Sequence, residues 1–158
     1  MMCDEVKEFF LSVRLMTYNH SGYIEEALRS IDIQRTKFDF EVVVGDDFST
    51  DDTLLKIRNF KFNNKKLHLK ILNRQIGDEY HQERREKGRL FNFVNIIQNC
   101  SGSYVALLDG DDYWTDPLKL QRQVDFLEAN NDFSICFHNV NIEDTRGKEK
   151  KHTPCILS

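Results

Sequence analysis

Short apolar runs that break off abruptly into acids or hydroxyls constrain this chain more than any other feature. Phe40 to Val44 is nearly continuous in apolar residues and ends in Gly45-Asp46-Asp47. Tyr104 to Leu108 ends in Asp109-Gly110-Asp111-Asp112, and Phe9 to Met16 ends in Thr17-Tyr18-Asn19. Runs this short, apolar on both faces, suit strands of a parallel sheet. Between them the spacing turns helical: Ile24, Ala27, Leu28 and Ile31, then Leu90, Phe93, Val94 and Ile97. Strands joined by helical crossovers must lie parallel. The expected fold is therefore α/β, a mostly parallel sheet flanked by helices, with the three polar exits on one rim. In such sheets ligands bind beyond the carboxyl ends of the strands.

The remaining segments fill in the order. Ser49, with Asp52 three positions on, reads as a capping box for a helix through Leu54, Leu55 and Ile57. Leu67, Leu69 and Ile71 alternate with His68 and Lys70 as a third strand. Arg74 to Lys87 is polar and without sheet-like periodicity, and reads as a long functional or mobile connection. Pro117 after an Asp116 cap opens a helix that buries Leu120, Val124 and Leu127. Phe133 to Phe137, continuing through Val140 and Ile142, reads as a fifth strand, and Asp144 to Lys151 as a charged surface loop or fraying end. The order is βαβαβ, connection, αβαβ.

A length of 158 residues with 40% hydrophobic content fits one domain, 1–158, with a core of about 9–142. Lys and Arg number 22 against 26 Asp and Glu, a net charge of -4, so nucleic acid is not an expected partner. Cys3, Cys100, Cys136 and Cys155 lack metal-binding spacing and read as reduced thiols, with Cys100 and Cys136 as small buried hydrophobes. Asp4, Glu5, Lys7 and Glu8 stand where a signal peptide needs an apolar core, and no run approaches a membrane span. The expected location is cytoplasmic, with peripheral attachment at the inner face of a membrane left open.

Asp109, Asp111 and Asp112 repel one another unless something positive lies among them. A divalent cation that also carries a phosphate is the simplest candidate, since hard oxygen ligands suit Mg²⁺ or Mn²⁺. Carboxylates at the second exit, Asp46 and Asp47, suit a base N–H or ribose hydroxyls, because an acid near phosphate is useful only with a cation between. The plainer alternatives are a turn before the Ser49 cap and an acidic turn capping the Pro117 helix. Tyr113 and Trp114 are either core or pocket wall. Arg84, Arg85, Lys87 and Arg89 form a solvated face, or lend one arginine to a diphosphate. The five histidines, His20 among them, lack ligand spacing and read as surface or hydrogen-bonding residues.

Taken together, these pieces resemble the inverting family 2 glycosyltransferases of the GT-A fold. The match runs through Thr17-Tyr18-Asn19, Tyr23-Ile24 and Ser30-Ile31, then from Phe40 through Asp46-Asp47 to Thr53, and then from Gly102 to Asp112. It covers roughly residues 10 to 142. The resemblance implies a Rossmann-like donor domain that moves a sugar from a nucleotide diphosphate, usually UDP, with Mg²⁺ or Mn²⁺. By position, Thr17, Tyr18 and Asn19 belong to the nucleotide site, with Thr17 and Tyr18 lining the base pocket. Asp47, helped by Asp46, contacts the base. Asp111 approaches the ribose or donor sugar, Asp112 leads the metal ligands with Asp111 beside it, and Asp109 supports the cluster. The acceptor, whether saccharide, lipid-linked sugar or protein, is not specified.

Family members place the catalytic base after the fifth strand region. Here Glu143 and Asp144 are acidic candidates near the end, but both follow the expected strand too closely for either to be assigned. The chain is thus expected to be the donor-binding portion of a longer enzyme, truncated at its C-terminus. Two other functions compete. A metal-dependent nucleotidyltransferase would favour a glycine-rich basic loop where Thr17-Tyr18-Asn19-His20 stands. A non-catalytic nucleotide-sugar-binding domain would keep the pocket without turnover.

Overall fold

A computed structural model describes residues 9–143 and 149–150. Two compact units divide the chain, one through Arg122 and a smaller one from Gln123 onward.

The first unit is built on four parallel strands: β1 (Leu11–Thr17), β2 (Phe40–Asp46), β3 (Leu67–Ile71) and β4 (Tyr104–Asp109), in the order β3-β2-β1-β4. The two central strands, β1 and β2, carry two of the three apolar runs, and the third run forms the edge strand β4. Val13, Leu15, Phe40, Val42, Val43 and Val44 are all fully buried. The edge strands β3 and β4 are only partly covered, with Leu69, Val105 and Leu107 exposed.

Helices α1 (Ile24–Asp32), α2 (Thr53–Asn59), α3 (Glu79–Lys87) and α4 (Leu90–Gln98) lie in the crossovers, and α1 packs against α2. The spacing of Ile24, Ala27, Leu28 and Ile31 puts all four on one fully buried stripe, as the periodicity requires. Truncating Leu28 to Ala there would cost about 2–5 kcal/mol. α4 packs on β1 and β2 so closely that a Cβ at Gly45 would lie 2.3 Å from the Ile96 side chain, which is why a glycine precedes Asp46.

Several expectations change. Arg74 to Lys87 is not a plain connection, since residues 79–87 form α3. Asp78 caps it by accepting from the His81 N–H at 2.7 Å, and Gly88 ends it at φ 78°. Ser49 does not cap α2. Asp51 accepts from the backbone N–H of Thr53 at 3.0 Å instead, and Ser49 turns back to Asp46. In α4 the buried residues are Phe91, Asn92 and Ile96, so of the stripe read from Leu90, Phe93, Val94 and Ile97 only Phe93 and Ile97 are partly covered, while Leu90 and Val94 are exposed. Asn92 is buried because Arg74 and the Gly45 carbonyl satisfy its amide. Pro117 lies in a turn before α5 (Lys119–Ala129), where Asp116 accepts from the Leu118 N–H at 2.9 Å.

The second unit takes the end of α5 and the segment beyond it. Phe133 to Phe137 is not a strand. Its apolar residues alternate correctly, but it has no ladder partner among the described residues, and Phe133, Ile135 and Phe137 are exposed. Regular pairing resumes only in a short antiparallel ribbon, β5 (Ile142–Glu143) with β6 (Glu149–Lys150). Asp144 lies outside the described residues. Cys100 and Cys136 are half-buried rather than fully enclosed, the Cys100 thiol donating to the Ile96 carbonyl. No described helix is long and apolar enough to cross a membrane.

Candidate functional site

Register brings the three exits together. Thr17 lies opposite Asp46 and Met16 opposite Asp109, while the N–H groups of Asp47 and Gly110 donate to the carbonyls of Thr17 and Met16 at 2.9 and 2.8 Å. The expected single rim is therefore present, stitched by backbone hydrogen bonds just past the strand ends.

At the second exit Asp46 and Asp47 have different surroundings. Asp46 is buried and accepts from both the N–H and the hydroxyl of Ser49, so it shapes the turn. Asp47 faces α3. Arg84 grips it through Nε, 3.0 Å from each carboxylate oxygen, and through Nη2 at 2.7 Å, and the Tyr80 hydroxyl donates at 3.1 Å. Burial raises the Tyr80 phenol well above its ordinary range, which keeps it a donor. Arg74 lies over the Tyr80 ring, 3.7 Å from its centroid, and donates to the Asp46 carbonyl, Asn92 and Asn95. Phe48, at φ 63°, turns its ring toward Tyr80 and His81.

The first exit is tied to the same loop. Asn19, at φ 52°, accepts from the Thr50 N–H at 2.8 Å, and its own N–H donates to the Ser49 hydroxyl at 2.9 Å. Its side chain is thus engaged in fastening two exit loops. Tyr18 is exposed and Thr17 is buried, with an Oγ1 that has no hydrogen-bond partner.

At the third exit the Asp109, Asp111 and Asp112 carboxylates each present an oxygen within 4.8 Å of the others. Arg14 reaches Asp109 from inside β1, Nη1 to Oδ1 2.6 Å, and His20 Nε2 stands 3.8 Å from Asp111. Asp112 makes no ion pair among the described residues. Partial burial, and then the charges of Asp111 and Asp109, push its carboxyl above the ordinary range. Gly110 has no room for a side chain, since a Cβ would lie 2.7 Å from Thr17 Oγ1 and 2.8 Å from His20 Nδ1. Both of those buried atoms lack partners among the described residues. Hard carboxylate oxygens in this arrangement fit a Mg²⁺ or Mn²⁺ ion.

The family model for glycosyl transferase family 2 matches residues 12–155. The chain belongs to that family. An uncharacterised Mycobacterium tuberculosis protein is 37% identical over 144 residues, 91% of this chain and 39% of the relative. The Escherichia coli UDP-Glc:alpha-D-GlcNAc-diphosphoundecaprenol beta-1,3-glucosyltransferase WfgD is 27% identical over 85% of this chain and 47% of its own length. Among solved structures, Staphylococcus aureus TarS 1-349 in complex with UDP-GlcNAc superposes with TM-score 0.55 at 31% identity, over 77% of this chain and 32% of that 1-349 chain. The chain thus spans about two fifths of the length of its mycobacterial relative.

For a family 2 chain, several residues at this rim were not legible as site residues. Arg14 and His20 flank the acids, and Tyr80 and Arg74 surround Asp47. Arg14 carried a signal, as a lone cation inside an apolar strand that needs a buried partner. Arg84, weighed for a diphosphate, engages Asp47. Trp114 is buried under the Lys119 ammonium, 4.2 Å from its ring centroid, and Tyr113 is at the surface.

Proposed function

We propose that the chain is the nucleotide-sugar-binding part of a GT-A glycosyltransferase, residues 1–158 with a core of about 9–142, taking a UDP-sugar with Mg²⁺ or Mn²⁺. The observation that carries this reading is the shared rim, with Asp47 bonded to the Thr17 carbonyl on one side of β1 and the acidic cluster on the other. A base needs acceptors for its N–H groups, and a diphosphate needs a cation between itself and carboxylates. The two acidic exits supply these in order along one edge. The names of two relatives agree with such donors, WfgD with UDP-Glc and TarS with UDP-GlcNAc.

In this reading Asp47, oriented by Arg84 and Tyr80, accepts from the base, with Thr17 and Tyr18 lining its pocket. Asn19 and Asp46 hold the loop that shapes it. Asp111 and Asp112 hold the cation and Asp109 supports them. When bound, the cation neutralises charge developing on the leaving diphosphate. Inversion is expected from the family, and the base that deprotonates the acceptor hydroxyl is not assigned to any described residue. The acceptor is a saccharide, lipid-linked sugar or protein. A lipid-linked acceptor, as in the name of WfgD, would bring the cytoplasmic enzyme to the inner face of a membrane.

Calorimetry with UDP and with GDP, in Mn²⁺ and then in chelator, tests this function. UDP binding that needs Mn²⁺ and disappears in Asp112→Ala is the expected result. Binding unchanged by that substitution would remove Asp112 from the metal site.

A further inference from the structure

Arg14 is a guanidinium in the middle of a central strand. It is 4% exposed, and its neighbours Val13 and Leu15 are fully buried. A charge in such a place requires a partner, because burying it alone costs several kcal/mol. Arg14 lies opposite Leu107 and Met16 opposite Asp109, so Arg14 and Asp109 project from the same face of the sheet on adjacent strands. Their 2.6 Å contact is roofed by Phe93 of α4, with the Arg14 Cζ 4.9 Å from the ring centroid.

This arrangement changes the electrostatics of the acidic cluster. Three carboxylates would present a charge of -3, but with Arg14 in contact the group carries -2. Asp109 is also the acid held from within the sheet, while Asp111 and Asp112 follow it into the loop. Resting on the cation reading above, we infer that Arg14 is a positioning residue that reserves Asp109 as its own counter-ion. The cation is left to Asp111 and Asp112, and the fixed positive charge beneath them weakens its binding. Arg14 does not touch donor or cation; it acts through Asp109.

Mn²⁺ titration followed by the free-ion electron paramagnetic resonance signal, with UDP present, separates charge from ligation. Arg14→Met should tighten Mn²⁺ binding about tenfold, and Asp109→Asn, which strands the Arg14 charge, should weaken it about tenfold. Arg14→Lys keeps the charge and should stay within about threefold of wild type. The decisive variant joins Arg14→Met with Asp109→Asn. Removing a buried pair together is commonly near neutral for stability, so it remains informative where Arg14→Met alone fails to fold. Its Mn²⁺ affinity should lie within about threefold of wild type, since the net charge is restored. If instead it weakens as far as Asp112→Asn does, Asp109 is itself a ligand and the inference is overturned. An Arg14→Met protein that folds with unchanged or weaker Mn²⁺ binding overturns it too. Absence of saturable Mn²⁺ binding in wild type, or an Asp112→Asn variant that binds normally, is a separate result that removes the cation reading itself.

Discussion

Arg84 of α3 clasps Asp47 at the end of β2 with its Nε 3.0 Å from both carboxylate oxygens and its Nη2 2.7 Å from one. A residue on a segment devoid of apolar periodicity thereby fixes the rotamer of the acid proposed to meet the base. The pair is well shielded, with side-chain exposures of 19% and 13%, so it is more than a surface salt bridge.

Arg84→Ala should therefore lower UDP affinity about tenfold by releasing Asp47 from its orientation and leaving its charge less compensated. Tyr80→Phe removes one neutral donor and should lower the affinity by only about twofold. Isothermal titration of both variants with UDP checks the order. Equal losses in the two would mean that Arg84 does not orient Asp47.

Gly110→Ala should destabilise the protein by about 1–3 kcal/mol through overpacking against Thr17 and His20. Gly22→Ala, with nothing within 4 Å of the added Cβ, serves as the control and should melt like wild type. Thermal denaturation of the two decides this. The Gly110 variant should also lose metal-dependent UDP binding, because Asp111 and Asp112 follow directly.

Asp112 has a folded-state pKa raised by burial and by its acidic neighbours. Between the unfolded and the folded value the native state binds more protons, so stability falls as pH rises through that window. A bound divalent cation reverses the penalty where the carboxyl is ionised. The melting-temperature gain from Mn²⁺ should thus be full at neutral pH and shrink on acidification through the upper carboxylate range. Asp112→Asn should abolish the gain at every pH. A gain independent of pH in wild type would contradict the assignment.

Glu41 tests a separate point, the opposite end of the sheet. Its buried carboxylate accepts from the Ser12 hydroxyl at 2.6 Å and from the Ser101 N–H and hydroxyl at 2.6 and 2.9 Å, pinning the turn into β4. Glu41→Ala strands those donors and should cost about 2–4 kcal/mol, yet leave UDP affinity unchanged. Chemical denaturation and titration of the same variant check both halves.

The parts of this fold legible in the residues are those decided locally. The three apolar runs, their polar exits and the stripe of Ile24, Ala27, Leu28 and Ile31 follow from period and burial alone, and the parallel register then placed Thr17, Asp46 and Asp109 on one rim. α3 escaped because its burial rests on Tyr80 alone, with no stripe to announce it, although Asp78 and Gly88 marked its ends. The face of α4 escaped because a polar residue, Asn92, is buried there by partners distant in sequence. Phe133 to Phe137 has a strand's alternation but, among the described residues, no paired neighbour of the kind a strand requires.

The amino-acid sequence by itself determined the family, the parallel α/β plan and the acids at the strand exits, because periodicity, apolar runs and motif spacing are properties of contiguous residues. Which cation each acid meets was decided only by the tertiary structure. Arg14 and Asp109 are 95 residues apart, Asp47 and Arg84 37 apart. Charge interactions of this kind depend on distance and burial, and no local pattern carries either.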